Sequence, residues 1–214
     1  LVKSFYDKLY PEKNLIVTGS AKLDFYKRGG DSMLGRYFYY RLHPLSLHET
    51  GFANSDLDGL FQFGGFPEPL YKGDHRFLKR WQNEIIEKIV REDVNDLENV
   101  KDLSSMEILS MTLPNRVGSP LSINSLREDL NVSFDTVERW VQILEKLFLV
   151  YRIMPFGAPK IRAVKKEKKL YFWNWSFVEN EGARWENLVA GHLLKYCDFM
   201  KDVYGEKELF GLRS

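Results

Sequence analysis

The sequence predicts an α+β chain that is mostly helical, and three observations lead there. Apolar residues recur every three or four positions from Asp74 to about Val94, and again from about Ser104 to Phe148, the period of helices buried along one side. Strand-like runs are few and short: Leu15-Ile16-Val17, Tyr37-Phe38-Tyr39-Tyr40, residues 150–154 and residues 169–173. With 214 residues, 44% of them hydrophobic, the chain can build one large core or two to three small ones. The chain is read as four segments, at residues 1–60, 61–100, 101–175 and 176–214.

Composition narrows the function classes. A formal net charge of +1 gives no global attraction to nucleic acid or membrane, so either must rest on local charge. The single cysteine, Cys197, excludes an internal disulfide framework and fits a reducing cytoplasm; beside Leu193, Leu194 and Tyr196 it reads as a small buried hydrophobe. No stretch approaches the ~18 apolar residues of a membrane span, and no signal peptide opens the chain.

In chain order, Phe5, Tyr6 and Leu9 cluster in a helix end that Tyr10-Pro11 breaks. Leu15-Ile16-Val17 is too short for a helix and too apolar for a half-exposed strand, so it reads as a strand buried on both faces. Thr18-Gly19-Ser20 sets two hydroxyls at its carboxyl end, where open α/β sheets place ligands. Gly29-Gly30, a short helix over residues 31–36 ending in Gly35-Arg36, and the aromatic strand 37–40 follow. At these residues the sequence resembles bacterial and archaeal AAA-type P-loop ATPases that carry a C-terminal winged helix and a nuclease-like domain. The resemblance implies that Ser20, with Thr18 second, senses the γ-phosphate, and that Arg36 stabilises charge on the transferring phosphoryl group. Read alone, the two hydroxyls cap a turn and Arg36 makes a surface ion pair. No Gly-x-x-x-x-Gly-Lys-Ser/Thr and no acid-terminated apolar strand precede residue 15, and residue 1 is Leu. The chain therefore reads as an interior or C-terminal piece of a longer protein, which would bind ATP and magnesium; the piece alone is expected to hold neither. A central strand at 15–20 would also lack neighbours, which predicts pairing with a second copy, a swap, or a different sheet.

His43 and His48 flank Pro44 at a spacing unsuited to chelation from one helix, and read as structural or surface residues. Residues 50–59 read as a polar loop, followed by apolar Leu60-Phe61-Gln62-Phe63. Gly64-Gly65-Phe66-Pro67 is a turn by its chemistry; it also resembles the Gly-x-Pro element of the ATPase lid, which implies that Pro67 lies near the nucleotide base. The amphipathic helix from Asp74 buries Phe77, Leu78, Trp81, Ile85, Ile89 and Val90. By the same resemblance it belongs to the lid.

Residues 102–156 carry the clearest physical pattern. A helix from about Ser104 stops at Pro114; a second begins at Ser122 and a third at Ser133, each capped by the serine hydroxyl. A strand at 150–154 and its hairpin partner at 169–173 complete the order of a winged helix. Lys160, Arg162, Lys165, Lys166, Lys168 and Lys169 crowd the wing against Glu167 alone, a charge that suits DNA phosphates. The third helix offers the mixed set Glu138, Arg139, Gln142, Glu145 and Lys146, so the wing is the expected DNA contact, with little sequence specificity. A protein or interdomain contact is the other use of such a module.

From Asn180-Glu181-Gly182, read as a turn, Ala183-Arg184-Trp185-Glu186-Asn187 begins a helix whose sequence resembles the start of the nuclease-like domain of those ATPases. There Glu186 would be the first metal-binding acid, while alone it reads as a first-turn residue complementing the helix dipole. Asn174 stands where the family more often has Asp. The resulting expectation is the C-terminal portion of an AAA-type ATPase; the alternative is a non-enzymatic winged-helix module that binds DNA or a protein partner.

Overall fold

Side-chain caps start the helices where the sequence offers them. The computed structural model describes residues 2–10, 12–19, 37–94, 100, 102–155, 167–205 and 210–211. After α1 (Val2–Leu9) come α2 (Leu47–Thr50), α3 (Asn54–Phe63) and α4 (Pro67–Lys72). Asp74 accepts the Phe77 N–H at 2.6 Å and opens α5 (His75–Lys88), which runs on through a π-helical turn, Ile89–Asp93. Asp102 accepts from Ser105 N–H at 3.0 Å and opens α6 (Leu103–Thr112), one residue before the expected start. Pro114 then tightens the chain into a 3-10 turn, Leu113–Arg116. Ser122 and Ser133 cap α7 (Ile123–Leu130) and α8 (Phe134–Lys146), as expected, and Asn131 makes the turn between them in the left-handed region at φ 54°.

β1 (Val150–Pro155) pairs antiparallel with β2 (Lys169–Phe172), with Val150 opposite Phe172 and Ile153 opposite Lys169. β3 (Phe210–Gly211) adds parallel to the far end of β1, giving the order β2-β1-β3. Pro120 also bridges Lys169, and the Leu121 N–H donates to Lys168 O at 2.8 Å, so the linker between α6 and α7 joins the open edge of β2. A 3-10 turn, Trp175–Phe177, leads to α9 (Glu181–Tyr204), where Asn180 is the cap rather than part of a turn.

The main core gathers Val90, Val94, Met106, Leu109, Leu113 and Leu126 from α5–α7 against Val137, Val141, Ile143 and Leu144 of α8 and Val150, Leu170 and Phe172 of the strands. A smaller cluster of Leu60, Trp175 and Leu188 ties α3 to α9. Burial of this apolar surface is the main force closing the chain.

Three expectations are corrected. Leu15-Ile16-Val17 forms no strand and is not buried, with Ile16 87% exposed. No neighbouring strand among the described residues satisfies its backbone, and an apolar run alone cannot make a sheet. Tyr37-Phe38-Tyr39-Tyr40 is likewise irregular for the same reason. The polar loop expected at 50–59 is largely helical, because α3 runs from Asn54 and buries Leu60 and Phe63; its apolar end, too short to signal a helix alone, is held by tertiary packing.

Asn187, fully buried, binds both backbone groups of Phe172: it accepts the N–H at Oδ1, 2.9 Å, and donates through Nδ2 to the carbonyl, 2.8 Å. Replacing it by Leu conserves volume but leaves two buried backbone groups unpaired, which should cost about 2–4 kcal/mol in chemical denaturation. A loss below about 0.5 kcal/mol would show that water replaces the amide at no cost.

Candidate functional site

Residues 41–49 contain one charged side chain of each sign and two imidazoles, and Arg41, His43, Pro44 O, Leu47 N–H and Glu49 bond to α9. The spacing of Lys195, Asp198 and Asp202 at three and four residues sets them on one side of that helix. Arg41 reaches both acids: Nη1 lies 2.6 Å from Asp198 Oδ1, while Nη2 and Nε lie 2.5 Å and 3.2 Å from the Asp202 carboxylate. His43 donates from Nε2 to the second Asp198 oxygen at 3.0 Å, with its ring 4.6 Å from that of Trp173. Lys195 donates to Pro44 O at 2.9 Å and to the Glu49 carboxylate. The Leu47 N–H donates to His192 Nε2 at 3.0 Å, which fixes the His192 proton on Nδ1, facing Leu188 O at 2.8 Å.

The turn at Gly64-Gly65 completes the seat. Leu45 N–H donates to Gly65 O at 2.7 Å, and a Cβ on Gly65 would lie 2.6 Å from Leu45 O. At Gly64, φ is +80° and a Cβ would fall 1.8 Å from Asn174 Oδ1, so both positions require glycine. The glycine pair serves a close approach of backbones here.

A small cleft lies between these parts, lined by His43, Tyr151, Trp173, Trp175, His192 and Lys195. It has room for a water molecule and not for a nucleotide. Tyr151 Oη and Trp173 Nε1 are buried without a hydrogen-bond partner. Burial, with Tyr171 and the Asp198 carboxylate nearby, pushes the Tyr151 hydroxyl well above the ordinary phenol range, so it stays protonated. Among the described residues, no group of three His, Cys, Asp or Glu side chains is placed to hold a metal ion; at Asp198 and Asp202 the Arg41 guanidinium occupies the position a cation would take.

The expected site residues scatter. Ser20, Arg36, Lys160, Arg162, Lys165 and Lys166 lie outside the described residues. Thr18 is exposed on irregular chain, and Pro67 is exposed at the first turn of α4. Lys168 is half-buried near Glu138. Lys169 is a β2 residue whose ammonium lies 3.1 Å from Glu186. Glu186 also accepts the Tyr171 hydroxyl at 2.7 Å; burial, reinforced by Glu186, raises that hydroxyl far above its usual value. Glu186 thus anchors α9 to β2. On α8, Glu138 and Glu145 grip Arg152 at 2.9 Å and 2.7 Å, its side chain 8% exposed. That pairing removes both acids from the mixed surface expected of the third helix. Arg41, Arg152, Asn187 and Lys195 were missed; the 195, 198, 202 spacing was the signal within reach.

The geometry defines an α+β protein in which a strand pair and three helices are bolted to helical flanks by buried polar contacts. The chain belongs to a domain family of unknown function, DUF8612, whose profile matches residues 54–180. No curated protein and no solved structure matches it.

Burial alone would raise the Glu49 carboxyl, but Lys195 and the Ser46 hydroxyl and amide outweigh it and hold the group at about 2 instead of 4.5. A depressed carboxylate stabilises the fold above its unfolded value, and that contribution fades as pH falls from 4.5 toward 2. An NMR titration of the Glu49 carboxyl carbon should show the low midpoint, and Lys195→Met should move it back toward 4.5. An unchanged midpoint in the variant would remove Lys195 as the cause.

Proposed function

We propose that this chain is the C-terminal portion of an ATP-binding AAA-type ATPase, in which residues 18–36 contact the nucleotide and residues 41–49 carry its state to α9, which packs on the strands of a winged-helix module. One observation supports this most: Arg41, five positions beyond Arg36, is fixed by Asp198 and Asp202. A segment that holds a phosphate-facing arginine at one end and is bolted to α9 at the other can couple the two. The motif order along the sequence supports the same reading: Thr18 and Ser20 near the γ-phosphate, Arg36 on the developing charge, Pro67 near the base. ATP with magnesium is the ligand of the whole protein, and the upstream phosphate loop would hold it. The water-sized cleft beside His43 is a packing feature of the coupling segment and not the nucleotide site.

A second reading has its own support. Three helices, an isolated bridge from Pro120 to Lys169 and the β1–β2 pair follow the order of a winged helix. Its DNA contact would rest on Lys160, Arg162, Lys165, Lys166 and Lys168, since Lys169 is paired with Glu186 and α8 spends Glu138 and Glu145 on Arg152.

Binding of a fluorescent ATP analogue, with and without magnesium, separates the readings. A form of the protein carrying an upstream phosphate loop should bind and hydrolyse ATP, and the 214-residue chain alone should not. Arg36→Ala in the longer form should keep binding and lower kcat by about 10³-fold or more. Absence of binding by both forms rejects the ATPase and leaves the winged-helix module.

A further inference from the structure

α9 is 24 residues long, about 36 Å, and its buried positions lie on one side. Asn187, Gly191, Leu194 and Asp198 face the strands and residues 41–47. The opposite side carries Trp185, Val189, Leu193, Tyr196, Phe199 and Val203, each between 40% and 54% exposed. Their steps of 4, 4, 3, 3 and 4 residues keep one continuous stripe along the helix. No Asp, Glu, Lys or Arg interrupts it, and the nearby His192 has both ring nitrogens committed to Leu47 and Leu188. An uncharged stripe offers nothing to a polyanion; it fits another apolar helix face.

The order of side chains specifies which one. In an antiparallel pair of two copies centred near residue 194, Trp185 meets Val203, Val189 meets Phe199, and Leu193 meets Tyr196. Each aromatic ring faces an aliphatic side chain, the alternation that lets layers interdigitate. A parallel pair would set Trp185, Tyr196 and Phe199 each against its own copy, and Val189, Leu193 and Val203 likewise. The six side chains offer on the order of 600 Å² per copy, close to the roughly 800 Å² a stable interface buries. Tyr204, 63% exposed at the end of the stripe, and the stacked pair Phe61–Trp185, 4.3 Å apart, extend the surface at either end. We propose that this face is a homodimer interface, with α9 packed antiparallel on α9 of a second copy across a two-fold axis.

Light scattering and sedimentation of the 214-residue chain at rising concentration test it without nucleotide, so the outcome is independent of the ATPase reading. The expected mass is twice that of the chain. Val189→Glu and, separately, Phe199→Glu should return it to monomer with an unchanged far-UV spectrum and unfolding midpoint. In a Cys197→Ser background, mixing Val189→Cys protein with Phe199→Cys protein should give the mixed cross-link in preference to either self-link. A monomer at every concentration overturns the proposal. A dimer that survives both glutamates, or one that cross-links Val189→Cys to itself, overturns the proposed face or its direction.

Discussion

Residues 171–178 are buried without interruption, and the rest of the structure is arranged around their polar groups. A segment leaving a sheet in a 3-10 turn satisfies only part of its own backbone, here Phe177 N–H on Asn174 O and Val178 N–H on Trp175 O, and each buried group left unpaired costs about 1–3 kcal/mol. Side chains of α5 and α9, a backbone carbonyl of α3 and Asn174 of the segment itself supply further bonds. Asn187 pairs with Phe172, Gln82 donates to Ser176 O at 2.9 Å, and Arg184 donates to Val178 O at 2.6 Å. Asn174 accepts from Ser176 N–H at 3.1 Å, and the Trp175 indole donates to Leu60 O at 2.6 Å. The bonds that leave the segment each fix one partner element: α5 through Gln82, α3 through Leu60, α9 through Asn187 and Arg184. Apolar burial brings these helices near the segment, and the directional bonds decide their register.

Two arginines settle the rest of the geometry by one device. Arg152 lies between Glu138 and Glu145, and Arg41 between Asp198 and Asp202. A guanidinium can face two carboxylates at once because its five donors fan out in a plane, which an ammonium cannot match. At Arg152, burial disfavours the charge, but the paired carboxylates outweigh it and hold the proton more firmly; at Glu138, burial is likewise outweighed by Arg152 and Gln142. Neither cluster is a reservoir of free charge. The acids of α8 and α9 nearest them are neutralised within the chain.

Local chemistry was legible where one residue decides it. Ser122 and Ser133 cap their helices, Pro114 ends α6, and the strands at 150–155 and 169–172 stand within a residue of the strand-like runs at 150–154 and 169–173. Pairing between distant segments was not legible. Leu15-Ile16-Val17 has the composition of a buried strand, yet strand formation depends on a neighbour's hydrogen bonds, which composition does not report. Arg41 and Asp202 are 161 positions apart, and nothing in either local sequence names the other. The glycine pair at 64–65 was legible as a turn, while its reason, the approach of Leu45 and Asn174, lies in the tertiary contacts.

Glu186 shows why a motif and a site are different claims. Its sequence context resembles the entry to a metal-dependent nuclease, where a carboxylate must keep lone pairs free for a hard cation. In this chain Oε1 accepts from both Tyr171 and Lys169, and Oε2 would lie 3.1 Å from a Cβ on Gly118. A cation there would have to displace an ammonium and a phenol hydrogen bond that hold α9 to β2, so metal binding and the docking of this helix compete for one oxygen. The same competition applies at Asp198, which serves Arg41 and His43 together. The acids of α9 hold it to β2 and to residues 41–43, so their lone pairs are spent on the docking of this helix.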